Sequence, residues 1–357
     1  MKALVELHVH LEGSVPPVLL RELAARHGQP GVVSACLAPD GERYRPCGDF
    51  AGFLRLIKAV CAVLRTPSDY HAAALALGNT LADNGIVYAE VIVGYGILQR
   101  DGRTPLPYQR ALAEAAAAVA ARRGVRMAWL PDSVRQWGPD AAWRDLEAAV
   151  AAGPALGVVG YGVGGDERAA PAAAFAPVLA AARGEGLGTT LHAGETGSPE
   201  AVRDAVLAAG VDRVGHALAA AAAPALLQLL RETETFVELC PGSNVATGVV
   251  PDRDAYPLAA FLDAGVRCCL NTDDPALFGL TLRGEYAAVA ARGLAPSRAA
   301  AMQRDAVAAA FLPAAERQAL QALLEEGAAS PPGGGPEDPS PPAAPPPGSA
   351  AGPPPPG

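Results

Sequence analysis

The sequence predicts an α/β fold, a TIM (β/α)8 barrel, and three observations predict it. Eight short apolar runs alternate with helical stretches along most of the chain, which suggests parallel strands joined by helices. Half of the 357 residues are hydrophobic, ample for a core of that size. Four of the six histidines fall at expected C-terminal ends of strands, where such a barrel keeps its chemistry. An open doubly wound sheet is the competing arrangement. The run Gly162, Val163, Gly164, Gly165 matches its dinucleotide fingerprint poorly.

The first strand is the apolar run 3–8, leading into Val9 and His10. Alternate strand residues share a face, so His8 and His10 point the same way. Pro16 and Pro17 open a helix over 15–27 that carries Val18, Leu19, Leu20 and Leu23. Residues 28–48, rich in Gly, Pro and charge, read as an excursion loop. Asp49 then caps a helix with Phe50, Phe53, Leu54, Ile57, Val60 and Leu64 at helical spacing. Thr66, Pro67 and Ser68 break it, and a second helix runs from about 69 to 84, stopped by Gly85. Strands follow at 86–93, 125–130, 157–163, 187–192, 213–216, 235–240 and 266–272. Helices separate them at about 107–122, 139–151, 171–185, 199–209, 222–232 and 257–264. Three more at about 282–292, 297–310 and 313–326 close a domain spanning 1–327. Residues 328–357 are almost all Pro, Gly, Ala and Ser and predict a disordered tail, since little apolar surface is available to offset ordering.

A net charge of −9 argues against nucleic acid as a partner. No uncharged apolar run is long enough to span a membrane. His8 and His10 interrupt any leader-like apolar segment. The six cysteines show no CxxC spacing, so a reducing, cytoplasmic location is expected. Oligomeric state leaves no mark in the sequence.

The expected strand ends carry the chemistry. His8 and His10 end the first strand, His192 the fifth, His216 the sixth, and Asp273 with Asp274 the eighth. Glu195 follows His192 by three residues. An isolated His-x-His, or His192 or Asp273 alone, is as readily structural. Together, three histidines and a carboxylate would hold one zinc and leave a position for water. Iron or manganese suits the same donors. The remaining histidines, His27 and His71, read as ordinary helix-surface residues.

These segments resemble the adenosine deaminase family of the amidohydrolase barrels. The matching stretches are Glu-Leu-His-Val-His-Leu-Glu-Gly at 6–13, Gly-Gly-Asp-Glu at 164–167 and His-Ala-Gly-Glu-Thr-Gly-Ser-Pro at 192–199. Arg-Val-Gly-His at 213–216, Glu-Leu-Cys-Pro-Gly-Ser-Asn at 238–244 and Asn-Thr-Asp-Asp-Pro at 271–275 continue the series. The resemblance implies one Zn2+ per chain, on His8, His10, His192 and Asp273. A water activated there would attack C6 of a purine and release ammonia. His216 would orient that water, its alternative role being a fifth metal ligand. Glu195 would protonate purine N1, its alternative being an exposed loop glutamate. Asp273 would also accept the water's proton. Asp274 would bond N7, and the Gly165 N–H would bond N3. Phe50, Phe53, Leu54 and Ile57 would form a lid over the substrate, their alternative being plain core.

Three departures bear on substrate. Glu12 stands where adenosine deaminases carry an Asp for the ribose 5′-hydroxyl, and one more methylene shifts a carboxylate by about 1.5 Å. Relatives acting on adenine or 6-amino-6-deoxyfutalosine often read His-Leu-Glu-Gly there. Ala217 replaces a usual glycine, and Ile92, Val93 and Gly94 replace a segment with arginine and proline. The leading expectation is deamination of adenosine or a similar purine nucleoside, with adenine and aminodeoxyfutalosine as alternatives. A different amidohydrolase activity, or a non-catalytic zinc protein, is the remoter outcome. The PCxxC element of cytidine deaminase zinc sites is absent, so base editing is not expected.

Overall fold

Asp273 closes the sheet, because its backbone is stitched to the first strand. In the computed structural model, which describes residues 3–329, His10 N–H donates to Asp273 O at 2.7 Å. Asp273 N–H donates in turn to His8 O at 3.1 Å. The strands are β1 (Leu4–His10), β2 (Ile86–Val93), β3 (Arg126–Val134), β4 (Gly160–Gly164), β5 (Gly188–Ala193), β6 (Arg213–His216), β7 (Phe236–Leu239) and β8 (Cys268–Leu270). They are parallel and lie in sequence order, and the Val9–Asp273 bridge joins the last to the first. This is the expected barrel.

Strand alternation sorts the side chains. Val9, Val91 and Trp129 are in register across β1 to β3; Val163, Leu191, Val214 and Val237 are in register across β4 to β7. All are fully buried and belong to the large apolar cluster between sheet and helices. Burial of each such side chain stabilises by roughly 1.5–3 kcal/mol. The alternate residues, including His8, His10 and His192, face the barrel interior. The seam is reinforced by the helix Pro296–Ala309, whose Gln303 accepts from Val5 N–H at 2.6 Å and donates to Val5 O at 3.1 Å.

Four helices lie between β1 and β2. The Asp49 side chain accepts from Gly52 N–H at 2.6 Å and caps the helix Phe50–Cys61 as expected. Residues 28–48 are not all loop, since a short helix, Pro30–Cys36, forms there with proline in its first turn. The break at Thr66 is a helix start. Thr66 and Asp69 form a reciprocal capping box, and Pro67 begins the helix Pro67–Asp83. That box gives His27 a role, because its Nε2 meets Asp69 Oδ2 at 2.8 Å. It is a half-buried partner of a buried carboxylate, not a surface residue. Short helices Tyr95–Arg100 and Pro241–Ala246, absent from the sequence expectation, follow β2 and β7. The last helix, Ala314–Ala329, runs past the boundary expected at 327; the rest of the expected tail lies outside the described residues. Among the described residues, no helix is long and apolar enough to cross a membrane.

Candidate active site

The C-terminal ends of β1, β5 and the β8 seam bring four side chains to one point. The ligand atoms of His8, His10, His192 and Asp273 lie within 4.8 Å of one another. His10 Nε2 and His192 Nε2 face each other at 3.3 Å. Asp273 Oδ1 lies 3.4 Å from His8 Nε2 and 3.2 Å from His10 Nε2. His8 Nε2 is buried and has no hydrogen-bond partner among the described residues. Ring nitrogens converging with a carboxylate on one point, one of them unpartnered, fit a divalent cation, and this donor set suits zinc.

The surroundings prepare the donors. His8 Nδ1 lies 2.7 Å from Glu238 Oε2, so Nδ1 carries the proton and Nε2 is left for the metal. Arg213 pairs with the other Glu238 oxygen at 2.6 Å and with Glu90 at 2.6 Å. Burial raises the Glu238 pKa, but Arg213 and His8 outweigh it and hold the carboxyl ionised. Burial and the neighbouring histidines push His192 well below its ordinary range, which keeps the ring neutral. Burial also disfavours an ionised Asp273, yet the closeness of His10 and His8 holds it well below the usual carboxylate range. Ser243 Oγ donates to Asp273 Oδ2 at 2.6 Å. A second grouping of His8, His216, Cys240 and Asp273 is also compact. Burial raises the Cys240 thiol well above its ordinary range, and the three-histidine set, with the unpartnered His8 Nε2 and one carboxylate, is the better match to a nitrogen and oxygen donor site.

His216 stands beside this cluster. Asn244 Nδ2 donates to His216 Nδ1 and to Glu195 Oε1, each at 3.2 Å. This places the proton on His216 Nε2, which lies 3.8 Å from Glu195 Oε2 and 3.9 Å from Asp273 Oδ2. Burial pushes Glu195 up to about 7. Its loop is clasped from below by Glu167, which accepts from the N–H groups of Gly194, Thr196 and Gly197. Arg135 donates to the carbonyls of His192 and Glu167.

A cavity of about 660 Å³ opens over the cluster. Phe50, Phe53, Leu54 and Ile57 line one side, with the tilted rings of Phe53 and Phe278 5.7 Å apart. Gly165, Glu195, His216, Asp273 and Asp274 line the other. Gly165 has φ +91°, a conformation that suits glycine. Asp274 is buried against Gly13, where a β-carbon would fall 1.7 Å from its Oδ1. Burial and the adjacent Asp273 raise its pKa well above normal. Glu12 is placed differently from the rest. It is buried, and its Oε1 accepts from Gly94 N–H at 3.1 Å. It is not among the residues lining the cavity.

Four non-glycine residues have positive φ among the described residues, and three are His216, Ala217 and Asp273. Such backbone strain concentrates at working sites. It also explains why a glycine suits the position of Ala217, at φ +50°.

Barrel, strand-end cluster and enclosed cavity define a metal-dependent aminohydrolase built on an amidohydrolase barrel. Residues 3–326 match the family model "Adenosine deaminase", and the chain belongs to that family. It is 35% identical over 320 residues to an adenine deaminase of Agrobacterium fabrum, covering 89% of this chain and 97% of that one. It is 34% identical over 326 residues to an aminodeoxyfutalosine deaminase of Streptomyces avermitilis, covering 90% of this chain and 89% of the other. The crystal structure of adenine deaminase from Arthrobacter aurescens superposes with a TM-score of 0.81 at 25% identity, covering 90% and 98%. Deamination of adenine-type purines is the shared chemistry.

Proposed function

We propose that this chain deaminates free adenine to hypoxanthine. The observation that carries this over the adenosine expected first is the engagement of Glu12 with the Gly94 N–H. A side chain that is buried, bonded to a backbone amide and absent from the cavity lining is not offered to a ribose hydroxyl. Here Glu12 acts as a positioning residue for the end of β2. The names of the relatives support the same choice.

His8, His10, His192 and Asp273 would hold the zinc, which when bound lowers the pKa of water toward neutrality. Glu195, protonated up to about 7, donates to purine N1 and draws electrons from C6. His216 Nε2–H orients the attacking water. Asp273 Oδ2, close to His216, takes the proton that the water loses. Asp274, kept protonated by burial, donates to N7, and the Gly165 N–H donates to N3. The lid residues Phe50, Phe53, Leu54 and Ile57 exclude bulk water.

Aminodeoxyfutalosine is a second reading, favoured by one observation. The cavity of about 660 Å³ lies well inside the range of roughly 300–1,000 Å³ for larger ligands. It extends past the lid to Lys58, Arg100 and Trp137. Ammonia release by zinc-loaded protein from adenine, adenosine, 2′-deoxyadenosine and aminodeoxyfutalosine tests both. Adenine is expected to have the highest kcat/KM. A preference for aminodeoxyfutalosine would select the second reading, and silence with all four would refute deamination.

A further inference from the structure

Asp132 is a buried carboxylate on the wall of the same cavity, and the reaction described above gives it nothing to do. It lies near the end of β3, one residue from Ser133. Ser133 turns outward to Asp145 and Tyr161, at 2.6 and 2.5 Å. Alternation therefore turns Asp132 inward, and its side chain lines the cavity. It is 7% exposed, and its Oδ1 has no hydrogen-bond partner among the described residues. The nearby Arg135 is engaged with backbone carbonyls. Asp132 does not belong to either compact metal-ligand group.

Room for this carboxylate comes from β4. A β-carbon at Gly162 would fall 3.0 Å from Asp132 Oδ1, and one at Gly164 would fall 2.9 Å from Oδ2. The same position at Gly164 is 3.3 Å from His192 Nδ1. Asp132 thus sits beside the Gly164–Gly165 turn. A buried acceptor left unpaired is unfavourable, and its presence in a ligand cavity points to a donor that arrives with the ligand.

The orientation of the base identifies that donor, and this step rests on the purine reading above. Glu195 takes N1, Asp274 takes N7 and the Gly165 N–H takes N3. The ring nitrogen left is N9, which shares C4 with N3 and therefore lies beside the N3 contact. In free adenine N9 carries a hydrogen. We propose that Asp132 is a specificity-determining residue that accepts the N9–H of free adenine and so selects the base over its N9-substituted derivatives. A substituted N9 has no hydrogen to give, and its substituent would be driven against the carboxylate.

The test compares zinc-loaded wild type with Asp132→Ala on adenine, 9-methyladenine and adenosine. In wild type the kcat/KM for adenine should exceed that for 9-methyladenine at least tenfold. In Asp132→Ala that ratio should fall at least tenfold, chiefly through KM for adenine. Asp132→Asn, closer in size, guards against a folding defect, with circular dichroism and bound zinc as checks, and should lower the ratio in the same direction. An equal loss on all substrates, or an unchanged ratio, would overturn the proposal. A collapse of the adenosine to 9-methyladenine ratio instead would also overturn it, since the donor would then be a sugar hydroxyl. Absence of ammonia from wild type with every substrate would refute the deaminase reading itself, a separate outcome.

Discussion

Glu238 Oε2 lies 2.7 Å from His8 Nδ1, with both side chains fully buried. This contact sets, from β7 two strands away around the barrel, the tautomer of a histidine proposed as a metal ligand. Carboxylate partners of metal-bound histidines raise ligand basicity and fix ring orientation.

Glu238→Gln should therefore weaken zinc binding by about 10- to 100-fold. Competition against a metal indicator, with the protein held folded at low temperature, reads the change. An unaltered zinc affinity would show that His8 is oriented by packing alone.

Glu195→Gln should lower kcat by about 100- to 10,000-fold, the range for loss of a general acid, while bound zinc is retained. In wild type the acid form is needed. With the carboxyl pushed up to about 7, kcat/KM should be lost as pH rises above that value. Stability carries the same sign. The native carboxyl keeps its proton to about 7, against an ordinary 4.5, so its contribution is full below 4.5 and is lost as pH rises through 7. A pH–rate profile and Tm at several pH values check both, and a rate that keeps climbing above pH 8 would contradict the assignment.

Glu167 touches no proposed substrate atom, yet three backbone N–H groups around Glu195 point at it. Glu167→Ala should lower kcat by about tenfold or more, because loss of a buried charged hydrogen-bond partner costs roughly 1.5–3 kcal/mol of loop order. The effect should appear in kcat more than in KM, and the pH at which activity falls should move. Loss of Tm alone, with unchanged kcat, would mark Glu167 as purely structural.

The strands and the histidines that converge with Asp273 were legible because both follow local rules. Period-two alternation places His8 with His10, and an apolar run marks β2 to the residue. Glu238, Glu167 and Asp132 were not legible. The partner of Glu238 is 230 residues away in sequence, and nothing local distinguishes an inward carboxylate on β7 from an outward one. Asp132 was hidden differently. Pro131 made β3 seem to end at 130, whereas it pairs with Val93 inside the strand, which continues to Val134. The helix Pro30–Cys36 was hidden by the Gly and Pro content that usually marks loops. Glu12 stood out by its position, but its engagement with Gly94 depends on a contact 82 residues away.

Asp273 is at once the fastener of the barrel and a member of the convergent cluster, and β1 and β8 are the first and last strands among the described residues. A ribosome must therefore release nearly the whole domain before the cluster can assemble. Leu7 N–H, which donates to Asn271 at a separation of 264 residues, waits for the same moment. Contacts of such range slow folding. Completion of the ring switches catalysis on, so a chain shortened before residue 273 would be inert rather than partly active.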